Sequence, residues 1–262
     1  MAIMDGATPT LRQLPTAVPD FADGIAGIQS LHGYVHAGDI HVSLHLALDR
    51  IRSIGDRYYL GLKLNFFTPV LVHMGRLDQA EAYLQEALAL YTEMGDHWGT
   101  GTSYRYMGLV ALARGDIADA KRLIYKSLDV FEGYVIGWDI VACRLYLGDA
   151  ERAEGNSPAA MRHYLDTLDL AVEVNAKSFA SDAILGIAEL QAQAGAALLA
   201  YQLSQFVREY ASSSAAARER AVQLGKSLEG ELDPTQIKAA HAWLKEQTRA
   251  SISKCLQQEL QI

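Results

Sequence analysis

A single stretch of sequence decides the fold of this chain. Residues 94–116 read MGDHWGTGTSYRYMGLVALARGD, in which two glycine–aspartate pairs enclose apolar residues at the three- and four-residue spacing of a helix. The glycine of the second pair, Gly115, belongs to a series whose members are 40 residues apart: Gly75, Gly115, Gly155 and Gly195. An alanine follows each of them by five residues, at Ala80, Ala120, Ala160 and Ala200. The chain therefore contains a 40-residue repeat.

Each repeat is predicted to form a hairpin of two helices. Glycine in the turn can end the first helix in the left-handed conformation, which costs other residues more. The alanine after the turn leaves room for the two helices to pack closely. Ala, Leu, Glu and Gln dominate the chain after the N-terminal prolines, and alternating β-branched runs are absent. We therefore predict an all-α fold, a right-handed α-solenoid of stacked hairpins.

Composition excludes several classes of protein. Half of the 262 residues are apolar, so the chain can bury a core, and no uninterrupted apolar run is long enough for a membrane helix. The net charge of −8 without a basic cluster argues against nucleic-acid binding. Two cysteines and the lack of a secretory signal indicate a cytoplasmic protein. No phosphate-binding loop or nucleophile–base arrangement is apparent, so we predict neither an enzyme nor a cofactor.

The repeat also predicts how the chain is divided. A solenoid needs a terminal cap over the apolar edge of its last repeat, and Asp233-Pro234-Thr235-Gln236 is a typical helix start within the C-terminal segment. The predicted segments are a flexible tail (1–20), five repeats (21–55, 56–95, 96–135, 136–175 and 176–211) and C-terminal capping helices (212–262).

These motifs resemble the tetratricopeptide repeat. The resemblance lies in the turn glycine, the alanine after it, and the Met107-Gly108 and Leu147-Gly148 pairs. The elongated units and the tail around Trp243 further resemble the C-terminal sensor arrays of LuxR-type and maltose-activator-type bacterial signal-transduction ATPases. The resemblance implies a non-catalytic scaffold that binds a protein or peptide, in bacterial signalling or transcription regulation.

The same resemblance implies a concave groove. In the repeat family, the second, fifth, ninth and twelfth residues of each first helix face inward. Asn65 and Arg105 occupy such positions, and an amide and a guanidinium suit a peptide backbone or its carboxylate. Aromatic residues one turn earlier are expected to pack between repeats rather than contact a ligand. The candidate groove residues are Tyr58, Leu62, Asn65, Pro69, Trp98, Thr102, Arg105, Leu109, Trp138, Leu145, Asp149 and Arg152, with Asp182, Leu185 and Glu189 further along.

Three alternatives to a peptide groove stay open. A small-molecule sensor would have a closed pocket near Tyr58, Trp98 and Trp138, whereas an architectural module would pair exposed helices between two copies. Histidines at i,i+4 spacing can place two imidazoles on one helix face, so His32, His36, His41 and His45 allow a zinc site. Surface histidines are favoured over this metal site. Cys143 lies on a helix stripe and is predicted to be a buried structural thiol.

Overall fold

The computed structural model describes residues 37–131, 137–247 and 251–252. This part of the chain forms eleven helices and no strand, which confirms the all-α prediction. The predicted tail (1–20) and the beginning of the first predicted repeat lie outside the described residues. The helices are α1 (Ala37–Ile54), α2 (Arg57–His73), α3 (Leu77–Met94), α4 (His97–Arg114), α5 (Ile117–Phe131), α6 (Gly137–Ala153), α7 (Ser157–Glu173), α8 (Lys177–Gln193), α9 (Ala197–Glu209), α10 (Ala215–Glu229) and α11 (Pro234–Leu244).

The helices stack as hairpins in a solenoid. Helices α2 and α3 pair, and the same pairing joins α4 with α5, α6 with α7, and α8 with α9. The first helix of each hairpin also contacts the first helix of the next, from α2 through α8. At the C-terminal end, α10 packs on α8 and α9, and α11 packs on α9. The first helices therefore line up side by side along one wall.

The turns confirm the role predicted for the repeated glycines. Gly75 and Gly115 have φ of +70° and +85°, and Gly155 and Gly195 both have +80°. This is the left-handed region, where a residue with a Cβ is strained. Asn175 takes up the same region with φ of +56°, and asparagine is among the residues that tolerate it best. The turn geometry is therefore set locally by the sequence.

Close packing after the turns explains the repeated alanines. All four are completely buried: Ala80, Ala120, Ala160 and Ala200. Large rings from the second helices fill space that glycines leave in the first helices. A Cβ added to Gly186 would lie 2.4 Å from Tyr164 Cζ, and one added to Gly148 would lie 2.7 Å from Tyr164 Cε1. The glycines therefore leave room for bulky side chains, and these side chains set the spacing between adjacent helices.

Length and hydropathy of the helices bear on membrane insertion. None of the helices in the described ranges combines the length and apolar character that a membrane span requires.

Candidate functional site

Asn65, a predicted groove residue, joins two neighbouring hairpins instead. Its side chain is only 1% exposed. Asn65 Nδ2 donates to the Gly99 carbonyl at 3.4 Å, and Ser103 Oγ donates to Asn65 Oδ1 at 3.1 Å. The side-chain amide of Asn65 therefore connects α2 with α4 through two hydrogen bonds. This corrects the interpretation of Asn65 as a partner contact.

Arg105 is also buried, and it links the next pair of hairpins. Its side chain is 2% exposed, and its Nη2 lies 3.2 Å from Asp139 Oδ1. The other oxygen of that carboxylate accepts a hydrogen bond of 3.0 Å from Trp98 Nε1. The guanidinium carbon lies 4.2 Å from the centroid of the Tyr106 ring. Arg105 thus holds α4 to α6, which corrects its assignment as a ligand for a peptide carboxylate.

The three predicted aromatic residues pack against neighbouring helices. Tyr58 meets the Tyr91 ring edge-on, with 6.0 Å between the ring centroids, and Trp138 meets Phe179 in the same manner at 6.3 Å. Trp98 packs against an apolar cluster in addition to its bond to Asp139. The contacts of Trp98 and Trp138 support packing between repeats over contact with a ligand, whereas Tyr58 packs within its own hairpin and remains 48% exposed. Of the other candidates, Thr102 and Leu145 are buried, whereas Leu62, Pro69 and Leu109 are half-buried.

Asp149 and Arg152 belong to a polar network that spans four helices, α6, α7, α8 and α10. Tyr164 Oη donates to Asp149 Oδ1 at 2.7 Å and accepts a hydrogen bond from Arg152 Nε at 3.1 Å. Arg152 also lies 3.3 Å from Glu189 on α8. Glu189 in turn accepts hydrogen bonds of 2.7 and 2.8 Å from Arg220 on the capping helix α10. The side chains of Asp149, Arg152 and Glu189 are 30%, 25% and 19% exposed, so this network is recessed but open to solvent.

Asp182 lies near this network without joining it. No hydrogen bond or ion pair connects Asp182 with any other residue in the described ranges, although part of its surface remains accessible. Burial among protein atoms raises the pKa of Asp182 to about 7, and the nearby Asp149 adds to the rise while Arg220 opposes it. Burial also raises the pKa of Tyr146, the nearby Arg105 guanidinium opposes the rise, and Tyr106, Asp182 and Asp149 add to it. Tyr146 and Asp182 therefore lie within electrostatic reach of each other.

A cavity lies where the solenoid wall meets its cap. Its volume is about 550 Å³. His73, at the end of α2, lines it together with α8 and α10, so the early and late parts of the solenoid approach each other across this space. Tyr58, Trp98 and Trp138, around which the small-molecule alternative predicts a closed pocket, are not part of its lining. The cavity residues are His73, Glu189, Ala216, Glu219, Arg220, Gln223, Leu224 and Ser227.

Some residues near this site were missed by the sequence prediction. Tyr106 and Tyr146 stand 40 residues apart, in phase with Phe66, so the repeat itself carried a signal for an aromatic position one residue beyond the predicted one. Arg220 lies beyond the last repeat and has no equivalent in it. Only the packing of the cap on α8 reveals its contact with Glu189.

Of the four histidines in the predicted cluster, only His45 has a side chain within the described residues. His45 Nε2 lies 3.1 Å from Gln79 Nε2, and its Nδ1 lies 3.3 Å from Tyr83 Oη. His32, His36 and the side chain of His41 lie outside the described residues. Within the ranges that the structure describes, no group of three or more His, Cys, Asp or Glu side chains is placed to hold a metal ion.

Comparison with known families agrees with the geometry. Residues 70–133, which run from the end of α2 through α5, match the model of the tetratricopeptide repeat. No curated protein matches the chain significantly. The family match and the stacked hairpins together support a tetratricopeptide-repeat protein.

Proposed function

We propose that this chain is a non-catalytic scaffold that binds a protein or peptide partner in its concave channel. Tetratricopeptide repeats generally mediate protein–protein interactions, and their fold is typically a scaffold without catalytic activity. The observation that carries the proposal is the recessed polar network of Asp149, Arg152, Glu189 and Arg220 beside the cavity. It offers charged groups of both signs within a wall whose backbone is fixed by packing.

This network is suited to binding because it is already ordered. Tyr164 holds both Asp149 and Arg152, so neither side chain has to lose much rotamer freedom when a partner binds. Charged groups at the surface of a groove contribute mainly to specificity and to the rate of association. The net charge of −8 favours partners with basic or neutral surfaces.

The setting of this binding is proposed on sequence grounds alone. The elongated units and the tail resemble the sensor arrays of bacterial transcription activators. We accordingly place the scaffold in bacterial signalling or transcription regulation. A reporter assay for transcription in the source cell, with and without the chain, tests this setting apart from binding itself.

Site-specific photo-crosslinking tests the binding surface. A photo-reactive phenylalanine analogue replaces Gln223, which is exposed and lines the cavity. The matched control places the same analogue at Tyr125, which is 48% exposed on the second helix of its hairpin. We expect a discrete partner to crosslink from position 223 and not from position 125. Equal crosslinking from both positions contradicts a partner in the channel, and crosslinks only to a second copy of the chain favour the architectural alternative.

A further inference from the structure

A smaller cavity lies where α3 packs against the hairpin of α4 and α5. Its volume is about 240 Å³, and we call it the hairpin notch. Its apolar lining consists of Leu84 on α3, Met107, Val110 and Ala111 on α4, and Leu123 on α5. The notch shares no residue with the larger cavity or with the recessed polar network. It is therefore a surface separate from the proposed channel site.

The size of the notch suits one side chain better than a whole small molecule. Pockets for drug-sized ligands have volumes of about 300–1,000 Å³. Leu84, Val110, Ala111 and Leu123 are at most 7% exposed, whereas Met107 is half-buried and can be reached from solvent. Protein partners gain much of their affinity from a few anchor side chains that fill such pockets. An apolar side chain of a partner is therefore the occupant that fits this lining.

The equivalent place in the next repeat is filled by an ion pair. Forty residues further on, Lys121 and Glu151 replace Glu81 and Ala111. Lys121 Nζ lies 2.7 Å from Glu151 Oε1 and 2.5 Å from Glu154 Oε2, and the Lys121 and Glu151 side chains are 20% and 11% exposed. This pair takes up volume that Ala111, with a single methyl group, leaves open. The notch therefore depends on the residues of its own repeat and not on hairpin geometry alone.

The rim of the notch is charged, and acids outnumber bases on it. Arg114 Nη1 donates to Glu81 Oε2 at 2.5 Å, and Arg122 pairs with Asp119 on the same helix. Asp116, in the turn between α4 and α5, is exposed and forms no ion pair within the described ranges. Both arginines of the rim thus have an acidic partner already. A basic residue beside the apolar side chain is therefore favoured, and an acidic one is repelled.

We propose that the hairpin notch is a second docking site, which takes a leucine-sized apolar side chain flanked by lysine or arginine in a protein partner. The apolar side chain gains free energy by leaving water for the lining of the notch. The basic neighbour meets the Asp116 carboxylate at the rim. This proposal does not depend on the channel, because the two surfaces share no residue.

The test uses the capped tripeptide Lys-Leu-Lys and the full chain with isotope-labelled methionine methyl groups. Met107 lines the notch, whereas Met161 lies on α7 and serves as the internal control. We expect Lys-Leu-Lys to shift the NMR resonance of Met107 and not that of Met161. Lys-Ala-Lys lacks the apolar anchor and Glu-Leu-Glu reverses the charges, so each should bind at least tenfold more weakly. Equal binding of either control peptide, or no shift of Met107, overturns the proposal.

Two variants locate the binding in the notch. The triple variant Glu81→Lys, Ala111→Glu, Arg114→Glu copies the lysine and the two glutamates of the next repeat. It should abolish binding of Lys-Leu-Lys by filling the notch, since it makes the region more negative, and circular dichroism checks that its helices remain. Asp116→Asn keeps the notch open and should weaken the peptide about two- to fivefold, whereas Asp129→Asn at an exposed position on α5 should not. Binding that survives the triple variant, or equal binding by the two asparagine variants, overturns the proposal.

Discussion

Asp139 Oδ1 lies 3.2 Å from Arg105 Nη2 across the boundary between two stacked hairpins. The two side chains are 5% and 2% exposed, so the pair is almost entirely removed from water. Burying two charges costs several kcal/mol each, by the order of magnitude known for ions inside proteins, and only a close partner offsets that cost. The pair is therefore a specific connection between neighbouring repeats, and neither member can be removed alone without a large penalty.

The first prediction concerns this pair. Asp139→Ala should lower the free energy of unfolding by about 3–5 kcal/mol, because it leaves the buried Arg105 without a counter-charge. Urea denaturation followed by circular dichroism measures the change. Asp119→Ala is the control, since Asp119 pairs with Arg122 at the surface and its side chain is 49% exposed. That control should cost less than about 1 kcal/mol. Similar losses in both variants would show that the Arg105–Asp139 pair has no special role.

The second prediction concerns Gly99, which lies against the buried ring of Tyr91. A Cβ at position 99 would lie 2.2 Å from Tyr91 Cδ1, so Gly99→Ala should destabilise the chain by roughly 1–3 kcal/mol through overpacking. In a Tyr91→Ala background the ring is absent, and the cost of Gly99→Ala should largely disappear.

Gly75→Ala serves as the control in the same cycle. A Cβ at Gly75 would meet no atom within 4 Å, but φ of +70° strains any residue other than glycine. Its cost of about 1–2 kcal/mol comes from the backbone and should be the same with Tyr91 or Ala at position 91. Additive costs for Gly99→Ala and Tyr91→Ala would contradict the packing explanation.

The repeat could be predicted because its signals are local. Glycine is required at position 115 by the backbone conformation of that residue alone. A small residue is required at position 120 by the one helix that packs against it. Both requirements recur at the same interval in every hairpin, so the fold is visible in the spacing. Their physical causes act within a few residues of each position.

The candidate site could be predicted only in part, because its contacts join different hairpins. Asn65 and Arg105 stood at inward-facing positions, but the sequence does not show whether a polar side chain at such a position faces an open channel or a partner across the boundary. Asp139, which pairs with Arg105, had no feature that distinguished it from a surface acid at the start of a helix. Asp149 and Arg152 were predicted as channel residues, and they do come together through Tyr164.

The third prediction concerns pH and Asp182. The pKa of Asp182 is about 7 in the folded chain against an ordinary value of 3.8. Between these values the folded chain holds a proton that the unfolded chain releases, so the free energy of unfolding falls as the pH rises from about 4 to about 7. Asp182→Asn should therefore raise the free energy of unfolding by roughly 1–3 kcal/mol at about pH 8 and little at about pH 4.5. Urea titrations at the two pH values measure this.

Asp129→Asn separates the effect of Asp182 from that of total charge. Asp129 is exposed on α5, so its substitution should change the free energy of unfolding by no more than about 0.5 kcal/mol at either pH. A gain of equal size in both variants would trace the effect to the net charge of the chain. A loss of stability in Asp182→Asn at about pH 8 would show that the carboxylate has a stabilising partner.

The fourth prediction concerns the reactivity of Cys143. This thiol is completely buried and donates to Ser127 Oγ at 3.4 Å, and burial raises its pKa to about 11. Since the thiolate is the reactive species, Cys143 should resist iodoacetamide in the folded chain and react readily in urea. Mass spectrometry of a Cys255→Ser variant follows this residue alone. If Cys143 is alkylated at the same rate with and without urea, the hairpin that contains it opens far more readily than its packing implies.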